Sequence, residues 1–239
     1  METPKILLMI GAKNARPFLF NVANIILNLD YPKDKLSVII LDNDSSDDTY
    51  HHAFENIMPL LYEAGINVTV DKHDTGFSFG YENRHLPEIQ DQRLAAIAEI
   101  QQYMIDGYLK DNDYACLVDI HTIFWPKDIF QRLIAHGKDL TTVSWRLPDG
   151  SWYDSGSMTP DGQLLCNSNH QGLIKLGRTN CKFLYKRSIF DSGLKFGNVA
   201  HQEGTMSVSE LAKRGFGVYM DASIHCIHGY VNGMEPFKK

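Results

Sequence analysis

Tyr114-Ala-Cys-Leu-Val-Asp-Ile-His-Thr-Ile-Phe-Trp-Pro126 is a short apolar run that ends in charge. Tyr114 to Val118 has the length and unbroken apolarity of a strand covered on both faces, and such strands belong to parallel sheets packed between helices. Just beyond it, Asp119 and His121 stand two residues apart, so both side chains can face one ion while Ile120 points the other way. The same two residues would also serve as a turn cap and a core histidine. The rest of the chain has to decide.

Upstream, the same strand-then-helix pattern repeats. Ile6 to Ile10 predicts a first buried strand, and Gly11-Ala-Lys-Asn14 turns it into a helix reaching Leu29. In that helix Asn14 is the expected cap, Pro17 sits in the first turn, and Leu19, Val22, Ala23 and Ile26 repeat at helical spacing. Leu36 to Leu41 predicts a second buried strand running into Asp42-Asn-Asp-Ser-Ser-Asp-Asp-Thr49. This acidic turn opens a helix with Ser45 and Asp48 as caps and Ala53, Phe54, Ile57 and Leu61 as its apolar stripe. Gly65 stops it, and Ile66 to Val70 alternates like a strand near a sheet edge. Residues 71–91 are polar, aromatic and punctuated by glycine, a loop long enough to expect a function for it. Leu94, Ile97, Ile100 and Met104 then mark a helix whose first turn would display Arg93.

Downstream, Pro126 fits the start of a helix containing Ile129, Phe130, Leu133 and Ile134 and stopped by Gly137, and Thr141 to Trp145 reads as another strand. Repeated βα units over residues 5–145 predict an α/β fold, Rossmann-like, with a mostly parallel central sheet and flanking helices. From Arg146 to about residue 200 the helical period disappears, and glycines and aromatics predict hairpins lying over the C-terminal edge of that sheet. Cys181 to Tyr185 reads as a strand, Ser188 to Ser192 as a short helical turn, and Ser207 with Glu210 as a capping box before a helix ended by Gly215. Phe216 to Tyr219 and Ser223 to His228 read as two closing strands.

A length of 239 residues suits one large domain, 1–239. Within it, 1–145 carries the repeated βα units and 146–239 the hairpins and the closing part. Lys plus Arg number 23 against 29 Asp plus Glu, a formal charge of −6, which argues against a nucleic-acid polymer as partner. Cys116, Cys166, Cys181 and Cys226 are widely spaced with no C-x-x-C, and read as reduced residues of a cytoplasmic-type compartment. The apolar run near the N-terminus is too short for a signal sequence or a transmembrane segment. A cytoplasmic location is expected, compatible with peripheral membrane association.

Taken together, Ile10-Gly-Ala-Lys-Asn14, the acidic turn 42–49, Val118-Asp-Ile-His121, Glu203 and His228 resemble a glycosyltransferase of the GT-A fold, family 2-like. The Asp-x-His resembles that of polypeptide N-acetylgalactosaminyltransferases. Leu29-Asp-Tyr-Pro32 and the Trp145 to Trp152 region look like the N-terminal domain of procollagen galactosyltransferases. The resemblance implies a hexosyltransferase-type enzyme using a nucleoside-diphosphate sugar of UDP or GDP type and a glycan or hydroxylated acceptor. Asp42, Asn43 or Asp44 would read the base beside Gly11 and Ala12. Asp119 and His121 would hold a divalent ion on the diphosphate, with His228, or alternatively His225, completing the shell.

The chemistry asks for these groups. A departing diphosphate must be neutralised by a cation or by arginine and lysine. Mixed nitrogen and oxygen ligands favour Mn²⁺ over Mg²⁺, and would also suit Zn²⁺. Arg93 is either a second diphosphate contact or a solvated surface charge. For an inverting transfer the resemblance implies Glu203 as the acceptor's base, with His201 as the local competitor and a dipole-favoured helix-start acid as the plain alternative. Trp145, Trp152 and Tyr153 would stack on a sugar or fill the core. Two other classes share much of this pattern. A sugar-phosphate nucleotidyltransferase would need a richer phosphate loop than Gly11-Ala-Lys13, and a non-catalytic nucleotide- or glycan-binding module would keep the fold without turnover.

Overall fold

The computed structural model describes residues 2–77, 86–167, 170–197 and 205–229. Within them one sheet is built from β1 (Ile6–Ala12), β2 (Leu36–Asp42), β3 (Asn67–Lys72), β4 (Tyr114–Val118), β5 (Thr122–Phe124), β6 (Leu140–Arg146), β7 (Leu173–Lys175), β8 (Leu184–Lys186) and β9 (Val218–His228). The order across it is β3-β2-β1-β4-β8-β6-β9-β5, with β7 beside β9. β3, β2, β1 and β4 pair in parallel, as do β6 and β9. β8 runs antiparallel to both β4 and β6, so β6 and β9 recover the direction of β1. The parallel strands therefore all finish at one edge. Asp42 ends β2, Asp119 follows β4, Arg146 ends β6 and His228 ends β9.

Alternation along β1 sends Ile6, Leu8 and Ile10 into one apolar layer and Leu7 and Met9 into the other. The first layer is covered by α1 (Leu19–Leu27) and α5 (Ile129–Ala135), and by the segment α2 (Thr49–His52), a π-helical stretch (Ala53–Ile57) and α3 (Met58–Glu63). The second is covered by α4 (Pro87–Tyr108), α6 (Ser188–Asp191) and α7 (Val208–Lys213). Phe183 stacks on Phe130 and meets Trp125 and Trp145 edge-on, which settles Trp145 as a core residue. Truncating a buried residue such as Ile10 would cost about 2–5 kcal/mol, through lost transfer energy and the cavity left behind.

Several expectations change. The 146–200 segment does not only lie over the sheet edge: it supplies β8, which sits in the middle of the sheet because β4 has a free edge there and Leu184 and Tyr185 are apolar enough to be buried on it. The two closing strands are one, β9, whose pairing with β6 jumps from Val143↔Asp221 to Ser144↔His225. The Asp221 carboxylate accepts from the Ser223 N–H and hydroxyl at this bulge, satisfying backbone that has left the ladder. Phe54 is 47% exposed, because the π-helical stretch shifts the helical phase and leaves Ala53, Ile57 and Leu61 as the buried face. Asn14 does not cap a helix. It lies at φ 49 and accepts from the Ser46 N–H at 2.8 Å, while its own N–H donates to Ser45 Oγ. Nor do Ser45 and Asp48 cap α2: Asp47 accepts from the Thr49 N–H instead. Pro87 opens α4 early, which places Arg93 in its second turn rather than its first.

Candidate metal and nucleotide site

The end of β4 turns sharply, with the Thr122 N–H donating to Asp119 O at 3.0 Å. This turn brings the His121 N–H to Asp119 Oδ1 at 2.9 Å and His121 Nδ1 to the same oxygen at 3.2 Å. His228 Nε2, 109 residues further along the chain, faces Asp119 Oδ2 at 3.1 Å. One ligand-capable atom from each of Asp119, His121 and His228 lies within 4.8 Å of the others. His225 is exposed on the opposite face of β9 and takes no part in this group. Two strands that end together thus join two distant stretches of sequence.

The donor set fits a divalent cation. His228 Nδ1 lies 2.6 Å from Gly229 O, so that nitrogen carries the proton it donates. Nε2 then presents its lone pair towards a carboxylate oxygen, an arrangement that a shared cation satisfies and that ligating histidines commonly show. Burial works to raise the Asp119 pKa, but the hydrogen bond from His121 and the nearness of the two rings outweigh it and hold the carboxyl well below the usual range. The carboxylate side chain remains 41% exposed, open to a ligand, whereas His228 is 1% exposed.

Both imidazoles are braced by aromatic rings. Phe18 meets His121 edge-on at 4.7 Å, and Tyr153 lies flat on His228 at 3.8 Å and 11°. Tyr153 therefore offers one face to a histidine rather than to a sugar, and Trp152 carries Arg146 over its ring at 3.9 Å. Gly229 closes the group by donating its N–H to His121 O at 2.7 Å. A Cβ there would come within 3.0 Å of that carbonyl and 3.1 Å of Ile123. The glycine after His228 was a readable signal for this close approach, and sequence reasoning passed over it. Phe18 carried no such signal, since it touches His121 only through the tertiary fold.

At the end of β2 the geometry differs. Ala12 and Asp42 are partners across β1 and β2, and the Asn43 N–H donates to Ala12 O at 3.0 Å. Asp42 is 2% exposed, and among the described residues its Oδ1 has no hydrogen-bond partner. Burial raises its pKa, against the opposing pull of the Ser45 hydrogen bond and the Lys72 charge. Asn43 is half-buried beside it. Asp44 is already engaged: at φ 51 it accepts from the Thr75 N–H and hydroxyl and the Gly76 N–H, fastening the loop after β3. Lys13 fastens the same loop through Phe77 O at 2.6 Å, so it is not a spare phosphate cation. Gly11 faces Ile100 at an ordinary 3.7 Å, and packing among the described residues does not require glycine there.

Arg93 is exposed on α4, and its charge opposes the strong upward push that burial and Asp119 exert on the Tyr153 hydroxyl. It thus lies within electrostatic reach of Tyr153. His201 and Glu203 lie outside the described residues. All four cysteines are free, and among the described residues no helix is long and apolar enough to cross a membrane.

The Anp1 family pattern matches residues 1–154, nearly two thirds of the chain. No curated protein matches it. Among solved structures, the mannosyltransferase PcManGT from Pyrobaculum calidifontis, in complex with GDP-Man and Mn²⁺, is similar with TM-score 0.61 and 12% identity, over 98% of this chain and 59% of that one. S. aureus TarS 1–349 in complex with UDP-GlcNAc gives TM-score 0.59 and 12% identity, over 96% of this chain and 59% of that one. The chain spans about three fifths of these structures. At such identity the likeness speaks to the fold, which is GT-A: a central sheet flanked by helices, here with a candidate metal-binding Asp-x-His at its C-terminal edge.

Proposed function

Because the chain belongs to the Anp1 family and has the GT-A fold, we propose that it is a metal-dependent glycosyltransferase moving a sugar from a nucleoside-diphosphate sugar to a glycan or other hydroxylated acceptor. The observation that carries this reading is the convergence of Asp119, His121 and His228 beside the end of β4. Those three residues would hold the ion, and Mn²⁺ matches their mixed donors better than Mg²⁺. When bound, the ion supplies positive charge to the departing diphosphate. The rest is the chain's own work.

Asp42 would accept hydrogen bonds from the base or ribose through its unpartnered oxygen, with Asn43, Gly11 and Ala12 bordering that contact. Asp44 would serve this part indirectly, by keeping the loop at 75–76 in place. Arg93 would add charge on the diphosphate side. The neighbours were solved with GDP-Man and with UDP-GlcNAc, which supports testing donors of both base types. Residues 1–145 would bind the donor and 146–239 would face the acceptor, with His228 as the latter's contribution to the metal. The likeness to family 2 enzymes, to polypeptide N-acetylgalactosaminyltransferases in the Asp-x-His, and to procollagen galactosyltransferases belongs to the same proposal. Glu203, with His201 as its rival, would take the proton from the acceptor hydroxyl, and base catalysis of a single displacement requires an inverted product.

The test is a panel of UDP- and GDP-sugars with and without Mn²⁺, following donor hydrolysis, transfer and product anomer, with His228→Ala beside the wild type. Turnover that depends on both Mn²⁺ and His228 is the expected result. Donor binding without turnover across the panel would reduce the protein to a binding module, and a retained anomer would remove Glu203 as base.

A further inference from the structure

The chain folds back from the end of β6 onto the metal group. The Leu147 N–H donates to Ser151 O at 2.8 Å, Gly150 takes φ 84 at the turn, and Trp152 bridges to Arg146. The next residue, Tyr153, donates its N–H to Trp145 O at 3.0 Å. Asp154 follows, 4% exposed, and its carboxylate accepts from the Ser157 hydroxyl at 2.6 Å, the Thr179 hydroxyl at 2.8 Å and the N–H groups of Gly156 and Cys181 at 3.3 Å. Backbone on both sides of Tyr153 is therefore tied down, by a strand contact before it and a buried carboxylate after it. A ring mounted so firmly can act as a stop.

What it stops is the His228 imidazole. The bond from Nδ1 to Gly229 O fixes one point of that ring but leaves it free to tilt about that point. The phenol ring, parallel at 3.8 Å, removes the tilt and keeps Nε2 directed at Asp119 Oδ2. Among the described residues no hydrogen bond to the Tyr153 hydroxyl competes with this role, and the contact between the rings is flat stacking rather than a shared proton. We propose that Tyr153 is a positioning residue for His228, raising the affinity of the Asp119, His121 and His228 group for a divalent cation. This rests on the metal reading above.

The test titrates Mn²⁺ into the full chain without donor and reads free ion by electron paramagnetic resonance, with a melting curve for each variant. Tyr153→Phe keeps the flat ring and should hold the Kd within about twofold of wild type. Tyr153→Leu should weaken it about tenfold, the low end of what losing a residue that orients a ligand costs. Tyr153→Met provides a second, flexible filler should the leucine variant not fold, with the same weakening expected. A wild type that binds no Mn²⁺ would bring down the metal reading. Wild-type binding lost in His228→Ala but unchanged in Tyr153→Leu or Tyr153→Met would overturn the positioning role alone. So would Tyr153→Phe falling as far as leucine, since the hydroxyl and not the ring would then be responsible.

Discussion

Asp42 and Asp119 close two strands of the same sheet at the same edge, yet their carboxylates are held in opposite ways. Asp42 is buried, its pKa is raised, and one oxygen lacks a partner among the described residues. Asp119 is open to solvent on one side, faces two imidazoles and is held strongly ionised. An unpaired buried acceptor is costly unless a donor arrives, and a neutral donor such as a base or ribose group suffices. A carboxylate among ring nitrogens instead calls for a cation. One fold edge thus presents two differently held carboxylates a few strands apart, and the difference is set by burial rather than by residue type.

Removing Asp119 should have the largest effect. Asp119→Ala should lower both transfer and donor hydrolysis by about 10³-fold or more, because both release the same diphosphate and both need its charge offset. Near-normal Mn²⁺-dependent rates in that variant would erase the contrast. Asp42→Asn is expected to separate the two sites. It should weaken donor affinity roughly tenfold, the scale of a lost hydrogen bond to a charged group, while Mn²⁺ affinity in the absence of donor stays unchanged. Calorimetry with donor and with ion alone checks both halves.

Asp44→Ala tests whether the turn at the end of β2 is built before any ligand binds. Loss of the bonds to Thr75 and Gly76 should cost about 1–2 kcal/mol of stability, seen as a Tm lower by several degrees. An unchanged Tm would mean the loop is held by other contacts. The smallest effect is the pH dependence of Asp42. Its folded pKa is raised, so its favourable contribution is complete below the unfolded value of about 3.9 and is lost as pH rises through the folded value. The Tm advantage of Asp42→Asn over wild type should therefore be least at the acid end and grow towards neutrality. A difference that shrank on that path would show the carboxylate to be well paired.

The sequence carried much of this through local pattern. Unbroken apolar runs at Ile6 and Leu36 and in the stretch from Tyr114 marked the parallel strands, and charge placed just after each marked the edge where the strands finish together. Asp119 and His121 were legible as a charged pair just past an apolar run, although a turn rather than strand alternation brings them together, and His228 was legible through the resemblance, by its place at the end of the last strand. β8 was readable as a strand but not in its place, since three residues that pair with two strands far earlier in the sequence leave no local trace of their neighbours. The exposure of Phe54 depends on a π-helical shift that the apolar period does not encode. Tyr153 could be read as a sugar platform or a core residue because nothing in Trp152-Tyr153-Asp154 announces that the hairpin returns to a histidine 75 positions later.

The antiparallel β8 also bears on the order in which the molecule can form. β1 to β4 pair among residues 6–118, and a chain leaving the ribosome can assemble them as it emerges. β6 has no edge of β4 to join until residues 184–186 arrive to lie between them, and β9 follows later still. The candidate metal group bridges that divide, with Asp119 and His121 on the early side and His228 on the late one. Ion capture would then report on the completion of folding: a chain stopped before β9 could hold its first half and still not close the site.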